Sequence, residues 1–381
     1  MPMKNILLYD LSNDGHHFIY NSTVMNKIKS QYNKACYYTA TDNKDIINEL
    51  RDKQIEVHNI HVTRKANQYL SVGYRTILLI RMLLFARING FKKIHLFHLD
   101  SNIISLLCLL PFLLGLQVTG TLHWFPTRKW KKRILLFLLR FSMVNKIVVH
   151  GDYTQHEFNE LLRPEHEQKI VNIHFPNFPI PQVSSKDNTK EVEEKLAGLT
   201  RPFFLCFGGL RSDKGIDLLL ESLAPLRGKS FTLIVAGSEG YFTGNDIKQL
   251  AKQYGIEDKV FLDLRFIPDD VMDYYFNACD AVILPYRTLF SGQSGPLTEG
   301  AARNKYILGP RHGEIGHTIQ TYHLGNTFEA ENVEDLTDKL QQTLGTIHNE
   351  GSTLPSNNTY APLISMERFI HSYDQFFASN G

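Results

Sequence analysis

Residues 207–215 read FGGLRSDKG, directly after the apolar run FFLC at 203–206. An apolar run that closes on two glycines, ahead of the helical pattern at 217–226, reads as strand, tight turn and helix. Main-chain N–H groups at such a turn and helix start bind phosphate oxygens. Arg211 and Lys214 stand behind the glycines as fixed cations. Further along, residues 291–299 read SGQSGPLTE, a small-residue loop ending in a carboxylate. The two stretches together suit a nucleoside diphosphate. Arg211 and Lys214 neutralise the phosphates, the loops bind their oxygens, and Glu299 accepts from the ribose hydroxyls.

Working outward, short apolar runs alternate with helical patterns. Strands are expected at 5–10, 36–39, 93–98, 118–122, 146–150 and 170–174, then at 203–208, 232–236, 260–263, 281–284 and 306–308. Helices are expected between them, for example at 217–226, 245–254 and 269–278. This alternation predicts an α/β fold of parallel sheets covered on both faces. The stretch PNFPIPQVSSKDN at 176–188 has three prolines and then a polar run, and reads as a linker. It sets the expected domains at 1–180 and 181–362, with an amphipathic C-terminal helix within 363–381. Ligands of open parallel sheets bind beyond the carboxyl ends of the strands. Gly15, His16, His123, Arg211, Lys214 and the 291–299 loop all fall at such ends.

The bulk composition is that of an ordinary globular protein: 381 residues, 43% hydrophobic and 21% charged. The net charge of +2 hides an asymmetry. Residues 1–180 carry 23 Lys/Arg against 13 Asp/Glu, and the remainder 18 against 26. A basic front half suits an anionic membrane surface, a phosphate-bearing acceptor or nucleic acid. The four cysteines have no metal-ligand spacing and are expected to be buried free thiols in a reducing cytoplasm. The N-terminal residues lack the apolar region of a signal peptide. The nearly uncharged stretch 102–117 is short for a membrane span and contains Pro111, so a buried helix is expected there.

The sequence resembles the retaining nucleotide-sugar glycosyltransferases of the two-Rossmann-domain (GT-B) class, specifically family 4. The resemblance rests on the Gly-x-x-Arg-x-x-Lys-Gly spacing of 208–215, on Ala236-Gly237 and on Arg265-Phe266-Ile267-Pro268. The run DAVILPYR at 280–287 precedes the donor loop, and KIVVHGDYTQHEF at 146–158 and His123 lie in the front half. It is dense from 203 to 330 and patchier before 180. It implies two Rossmann-like domains facing each other across a cleft, with the C-terminal helix crossing back to the first.

The resemblance also implies transfer of a hexose from a UDP- or GDP-sugar to a glycan or lipid-linked acceptor in polysaccharide synthesis, with retention. No metal or other cofactor and no nucleic acid would be involved. Arg211, Lys214 and His123 would serve catalysis. Gly15, His16, Gly209, Arg265, Phe266, Ile267, Ser291, Gln293, Ser294, Gly295 and Glu299 would bind the donor. Two departures stand out. Ser291 occupies the place of a first donor-loop glutamate, and Asn13-Asp14-Gly15-His16-His17 has one glycine where a pair is common. A catalytically silent nucleotide-sugar-binding scaffold and a GT-B epimerase are the alternatives. The segment 128–140, RKWKKRILLFLLR, combines Arg128, Lys129, Lys131, Lys132 and Arg133 with an apolar run. As a helix it is expected either to meet acceptor or bilayer or to be an ordinary helix with a solvated basic end. The localisation expected is cytoplasmic, peripheral at the inner membrane face.

Overall fold

The computed structural model describes residues 5–11, 16–28, 31–41, 43–62, 72–178, 186–290, 292–350 and 358–379. The chain forms two compact units, residues 1–174 with 367–381, and residues 175–366.

The first unit is built on seven strands: β1 (Asn5–Tyr9), β2 (Lys34–Thr39), β3 (Glu56–Asn59), β4 (Lys93–Leu96), β5 (Gln117–Leu122), β6 (Lys146–Val149) and β7 (Ile170–Asn172). All pairings are parallel, in the order β3-β2-β1-β4-β5-β6-β7. The second unit has β8 (Phe203–Phe207), β9 (Thr232–Ala236), β10 (Val260–Asp263), β11 (Ala281–Ile283), β12 (Tyr306–Pro310) and β13 (Gly325–Phe328). Its order is β10-β9-β8-β11-β12-β13, again all parallel. Central strands such as FFLCF and TLIVA are buried on both faces, which is why they read as unbroken apolar runs. In each sheet the winding direction reverses once, between β1 and β4 and between β8 and β11. The loops leaving β8 and β11 therefore emerge side by side, at the crevice where open α/β sheets bind ligands.

Two strands were not expected, β3 (EVHN) and β13 (GNTF). Both are sheet edges with partly exposed, polar sequences, so neither carries an apolar run. The stretch 102–117 is not one buried helix. It breaks into Ile103–Cys108 and Leu110–Leu113, with Pro111 in the first turn of the second piece and Leu114 61% exposed. Cys108 is exposed, contrary to expectation, while Cys36, Cys206 and Cys279 are buried. Asp270 Oδ1 accepts from the first-turn Val271 N–H at 2.9 Å. Pro268 is the capping position, and the two aspartates occupy the first turn, where the helix dipole favours them.

The C-terminal helix Met366–Ser379 belongs to the first unit. Phe369, Tyr373, Phe376 and Phe377, spaced along one helical face, are its buried residues. Gln31 Nε2 donates to the Asp374 carbonyl at 2.8 Å, and Tyr32 donates to the Phe377 carbonyl at 3.3 Å. Beneath this helix His95 packs 5.1 Å from the Phe377 ring, and Tyr20 bonds both Tyr373 and His150. Burial, and to a lesser degree the neighbouring His123, push His95 and His150 down to about 3. Both are neutral in the native state, whereas an unfolded histidine titrates near 6.5. The stability they secure is complete above about pH 6.5 and is lost as pH falls towards 3, at up to about 1.4 kcal/mol per pH unit for each ring. Urea unfolding should thus show a clear loss of stability between pH 7.5 and 5.5, before carboxylates titrate. Equal stability at those two pH values would contradict it.

Candidate functional site

The turn after β8 is shaped by three left-handed or otherwise glycine-only positions. Gly208 has φ +108°, and a Cβ there would lie 2.5 Å from Lys214 Nζ. Gly237, at φ +145°, would place a Cβ 2.3 Å from the Gly208 carbonyl oxygen. Gly215, at φ +63°, ends the Ser212–Lys214 turn and starts the helix Ile216–Leu223, and its Cβ would strike the Pro285 carbonyl oxygen at 2.1 Å. Side chains at these points would push apart the loops after β8, β9 and β11.

Lys214 is half-buried. Its Nζ donates to the Phe207 carbonyl at 3.4 Å and sits 5.5 Å above the Tyr286 ring. Among the described residues no carboxylate lies within ion-pair distance of it. Arg211 differs. Its guanidinium forks onto the Asp213 carboxylate and lies 5.9 Å from the Phe290 ring. That bond raises Arg211 above its ordinary pKa and holds Asp213 below the usual carboxylate range. The sequence presents two equal cations, but the structure separates a compensated Arg211 from an uncompensated Lys214. Gly209 is exposed, with only the Ser238 carbonyl near its Cβ position.

The loop after β11 supplies the opposite wall. Tyr286, fully buried, packs 4.5 Å from Phe290, and its hydroxyl lies 3.4 Å from Ser294 Oγ. Ser294 caps the helix Gly295–Ala302, accepting from Leu297 N–H at 3.3 Å. Lys214, Tyr286 and Ser294 are thus joined in one line of contacts between the two loops. Gly295 is exposed with open space above it, and Gln293 is half-buried. Glu299 lies in the second turn of that helix. Its Oε2 accepts from Arg303, which also binds Asp273, so the carboxylate is held in one orientation. Tyr286, Phe290 and Arg287 were not foreseen as site residues. The signal for Tyr286 and Arg287 was present in PYR at 285–287, which reads as the end of a strand.

The remaining expected donor residues divide. Arg265 forks onto Asp263, which also accepts from Tyr275. Phe266 is 81% exposed, whereas the Ile267 side chain is buried in the core, leaving only its main chain for a ligand. Glu239 accepts from Gly244 N–H at 2.6 Å and so caps a helix. Gly15 and Ser291 lie outside the described residues. His16 opens the helix His16–Ile28, and its side chain is likewise not described.

In the first unit His123 follows β5. Its main-chain N–H and that of Trp124 donate to the Asp100 carboxylate, each at 2.9 Å. Its Nε2 lies 2.9 Å from the Phe97 carbonyl, which can only accept, so Nε2 carries the proton. In the neutral ring this bond makes Nδ1 the accepting nitrogen, whereas in the imidazolium both nitrogens donate. The ring is packed between His98, His150 and Tyr20 at 5.1–5.4 Å.

The basic segment forms the helix Lys129–Arg140, with Arg128 at its capping position and no side-chain cap. Leu135, Leu136, Leu138 and Leu139 face the core. Arg128, Lys129, Trp130, Arg133, Phe137 and Arg140 are exposed, Lys131 is half-buried, and Lys132 lies 4.4 Å over the Phe125 ring. Among the described residues no helix is long and apolar enough to cross a membrane.

Residues 187–346 match the model of the glycosyl transferases group 1 family. Among solved structures, a glycosyltransferase from Rickettsia africae aligns over 100% of this chain and 98% of its own at 14% identity and TM-score 0.69. Sucrose-phosphate synthase from Thermosynechococcus elongatus aligns over 99% of both chains at 14% identity and TM-score 0.71. Anabaena HepE in complex with UDP-glucose aligns over 98% of this chain and 99% of its own at 14% identity and TM-score 0.70. No curated protein matches the sequence. The chain has the GT-B architecture of two Rossmann-like domains, and residues 187–346, which match the glycosyl transferases group 1 model, lie within its second unit.

Proposed function

We propose that this protein transfers a hexose from a UDP- or GDP-sugar to a glycan or lipid-linked acceptor in cell-surface polysaccharide synthesis, with retention of configuration. The observation that carries the reading is the half-buried Lys214 ammonium, with no carboxylate at ion-pair distance among the described residues, at the switch point between β8 and β11. Cleaving a glycosyl–phosphate bond moves negative charge onto the leaving diphosphate. A preformed cation there stabilises the transition state more than the ground state. The Ser294 hydroxyl and the Gly295 N–H at the start of the helix serve the same phosphates, and Glu299, held by Arg303, is the acceptor for the ribose hydroxyls. In retaining transfer the departing phosphate takes the acceptor proton, so no dedicated base is required and no metal is invoked. HepE, a structural neighbour, was solved with UDP-glucose, which supports a nucleotide-sugar donor.

The test is a melting-temperature screen against UDP, GDP, ADP and their sugar conjugates. A ligand held at 100-fold its dissociation constant stabilises the native state by about 2.7 kcal/mol, a shift of several degrees. UDP or GDP is expected to shift the midpoint, and release of that nucleotide from its sugar conjugate should follow. No shift with any nucleotide would overturn the donor reading, and binding without turnover would point to a silent scaffold.

We further infer that the acceptor side works at an anionic membrane surface. Between Glu56 and Asp152 the sequence has 14 Lys/Arg and a single acidic residue, Asp100, which is buried. The helix Val72–Ile88 packs on Ile103–Cys108, which in turn packs on Lys129–Arg140. The outer side of this layer exposes Ile77, Leu84 and Ile88, then Leu114, then Trp130, Phe137 and Phe141. Arg87 donates to the Phe112 and Leu114 carbonyls, tying the helix Val72–Ile88 to the end of the Leu110–Leu113 segment. Exposed apolar and aromatic groups among cations, with acidic groups missing, match the chemistry of an anionic bilayer.

A further inference from the structure

Arg287 stands on the loop after β11 and reaches to the turn that carries Lys214. Its main-chain N–H donates to the Asp213 carbonyl at 2.9 Å, and its Nε–H donates to the Ser212 carbonyl at 2.9 Å. Nη2 pairs with Asp217 on the helix Ile216–Leu223, and Nη1 lies 3.7 Å from Glu331 beyond β13. One guanidinium, with its side chain 25% exposed, thus joins three segments of the second unit. Asp217 Oδ1 is buried with no hydrogen-bond partner among the described residues, so the bond from Arg287 to Oδ2 is the main compensation for that charge. Close by, the Gly215 main chain meets the Pro285 carbonyl, and Lys214 meets the Tyr286 ring.

We propose that Arg287 is a positioning residue for the transfer: it pins the Ser212–Lys214 turn so that the Lys214 ammonium is fixed over Tyr286 before the donor arrives. The inference rests on the diphosphate reading of Lys214. The chemistry calls for arginine. One carbonyl oxygen on one side and two carboxylates on the other need a planar group with several divergent donors. A lysine ammonium is a point charge that can satisfy the Asp217 carboxylate but cannot span to Ser212 as well. Released from the clamp, the turn drifts, and a displacement on the order of 1 Å at a catalytic cation costs about 100-fold in rate.

The test is a double-mutant cycle of Arg287→Lys with Lys214→Ala. Nucleoside diphosphate release from UDP-glucose and GDP-mannose is read together with the donor KM and the melting temperature. Arg287→Lys is expected to lower kcat by roughly 10- to 100-fold with little change in KM, and to change it by less than about twofold when Lys214 is already absent. The same loss in both backgrounds would show that Arg287 acts without Lys214, and full activity of Arg287→Lys would show that the clamp is dispensable. Either result overturns the inference. Should Arg287→Lys not fold, Arg287→Lys with Asp217→Asn removes the buried charge left behind and enters the same cycle. If Lys214→Ala alone leaves turnover unchanged, the diphosphate reading fails instead.

Discussion

Lys214→Ala is expected to reduce turnover by about two to three orders of magnitude while leaving the melting temperature within a few degrees of the unmodified protein. The two halves of this expectation come from the same contacts. Among the described residues the ammonium makes a long bond to the Phe207 carbonyl and a contact with the Tyr286 ring face. Neither holds an element in place, so little native stability is lost. The catalytic loss arises because the cation is already positioned and partly shielded, so it reorganises little as charge develops on the leaving group. Arg211→Ala should cost less, because its guanidinium is neutralised by Asp213 and would have to exchange that partner for phosphate. Steady-state release of nucleoside diphosphate from the donor identified by the melting screen decides the matter. Near-normal turnover of the Lys214 variant would remove the diphosphate assignment, and a larger loss at Arg211 than at Lys214 would reverse their roles.

The β8 turn was legible because its constraints are local. Glycines at positions of positive φ, a cation three residues beyond another, and an apolar strand before them are all written in contiguous residues. The doubly wound character was legible for the same reason, since buried parallel strands are continuous apolar runs. What escaped was set by tertiary contact. The edge strands β3 and β13 carry no apolar run, because one side of an edge meets solvent. Arg287 looks like any charge after a strand. Its role appears only when the loop after β11 is brought beside Ser212 and Asp213, far away in sequence. Glu299 was found, but its orientation by Arg303 and Asp273 depends on a neighbouring helix. His123 was expected at the end of its strand, but the Phe97 carbonyl that its Nε2 meets lies on a different strand loop and leaves no local signal.

Vesicles rich in phosphatidylglycerol are expected to bind this protein at low salt, with binding lost in about 0.5 M salt and absent for neutral phosphatidylcholine. At that ionic strength the Debye length shrinks well below the roughly 10 Å of 0.1 M salt. Each exposed Lys or Arg close to an anionic surface contributes about 1 kcal/mol. Arg128, Lys129 and Arg133 together are therefore worth about two orders of magnitude in partitioning, and reversing all three to Glu, which adds repulsion, should abolish association. Their placement argues that they are not there for the helix itself. Lys129, Lys131 and Lys132 crowd the first turn of Lys129–Arg140, whose N-terminus lacks a side-chain cap, and there the dipole disfavours positive charge. The apolar part of the contact has its own reporter, because the two tryptophans, Trp124 and Trp130, are both exposed in this region. Their emission should shift to the blue on binding. Trp130→Ser should weaken binding without altering its salt dependence, since it removes buried apolar area and no charge. Failure of the protein to float with anionic vesicles at low salt, or binding that is indifferent to the triple reversal, would take the membrane out of the proposed function and leave the donor chemistry of the second unit untouched.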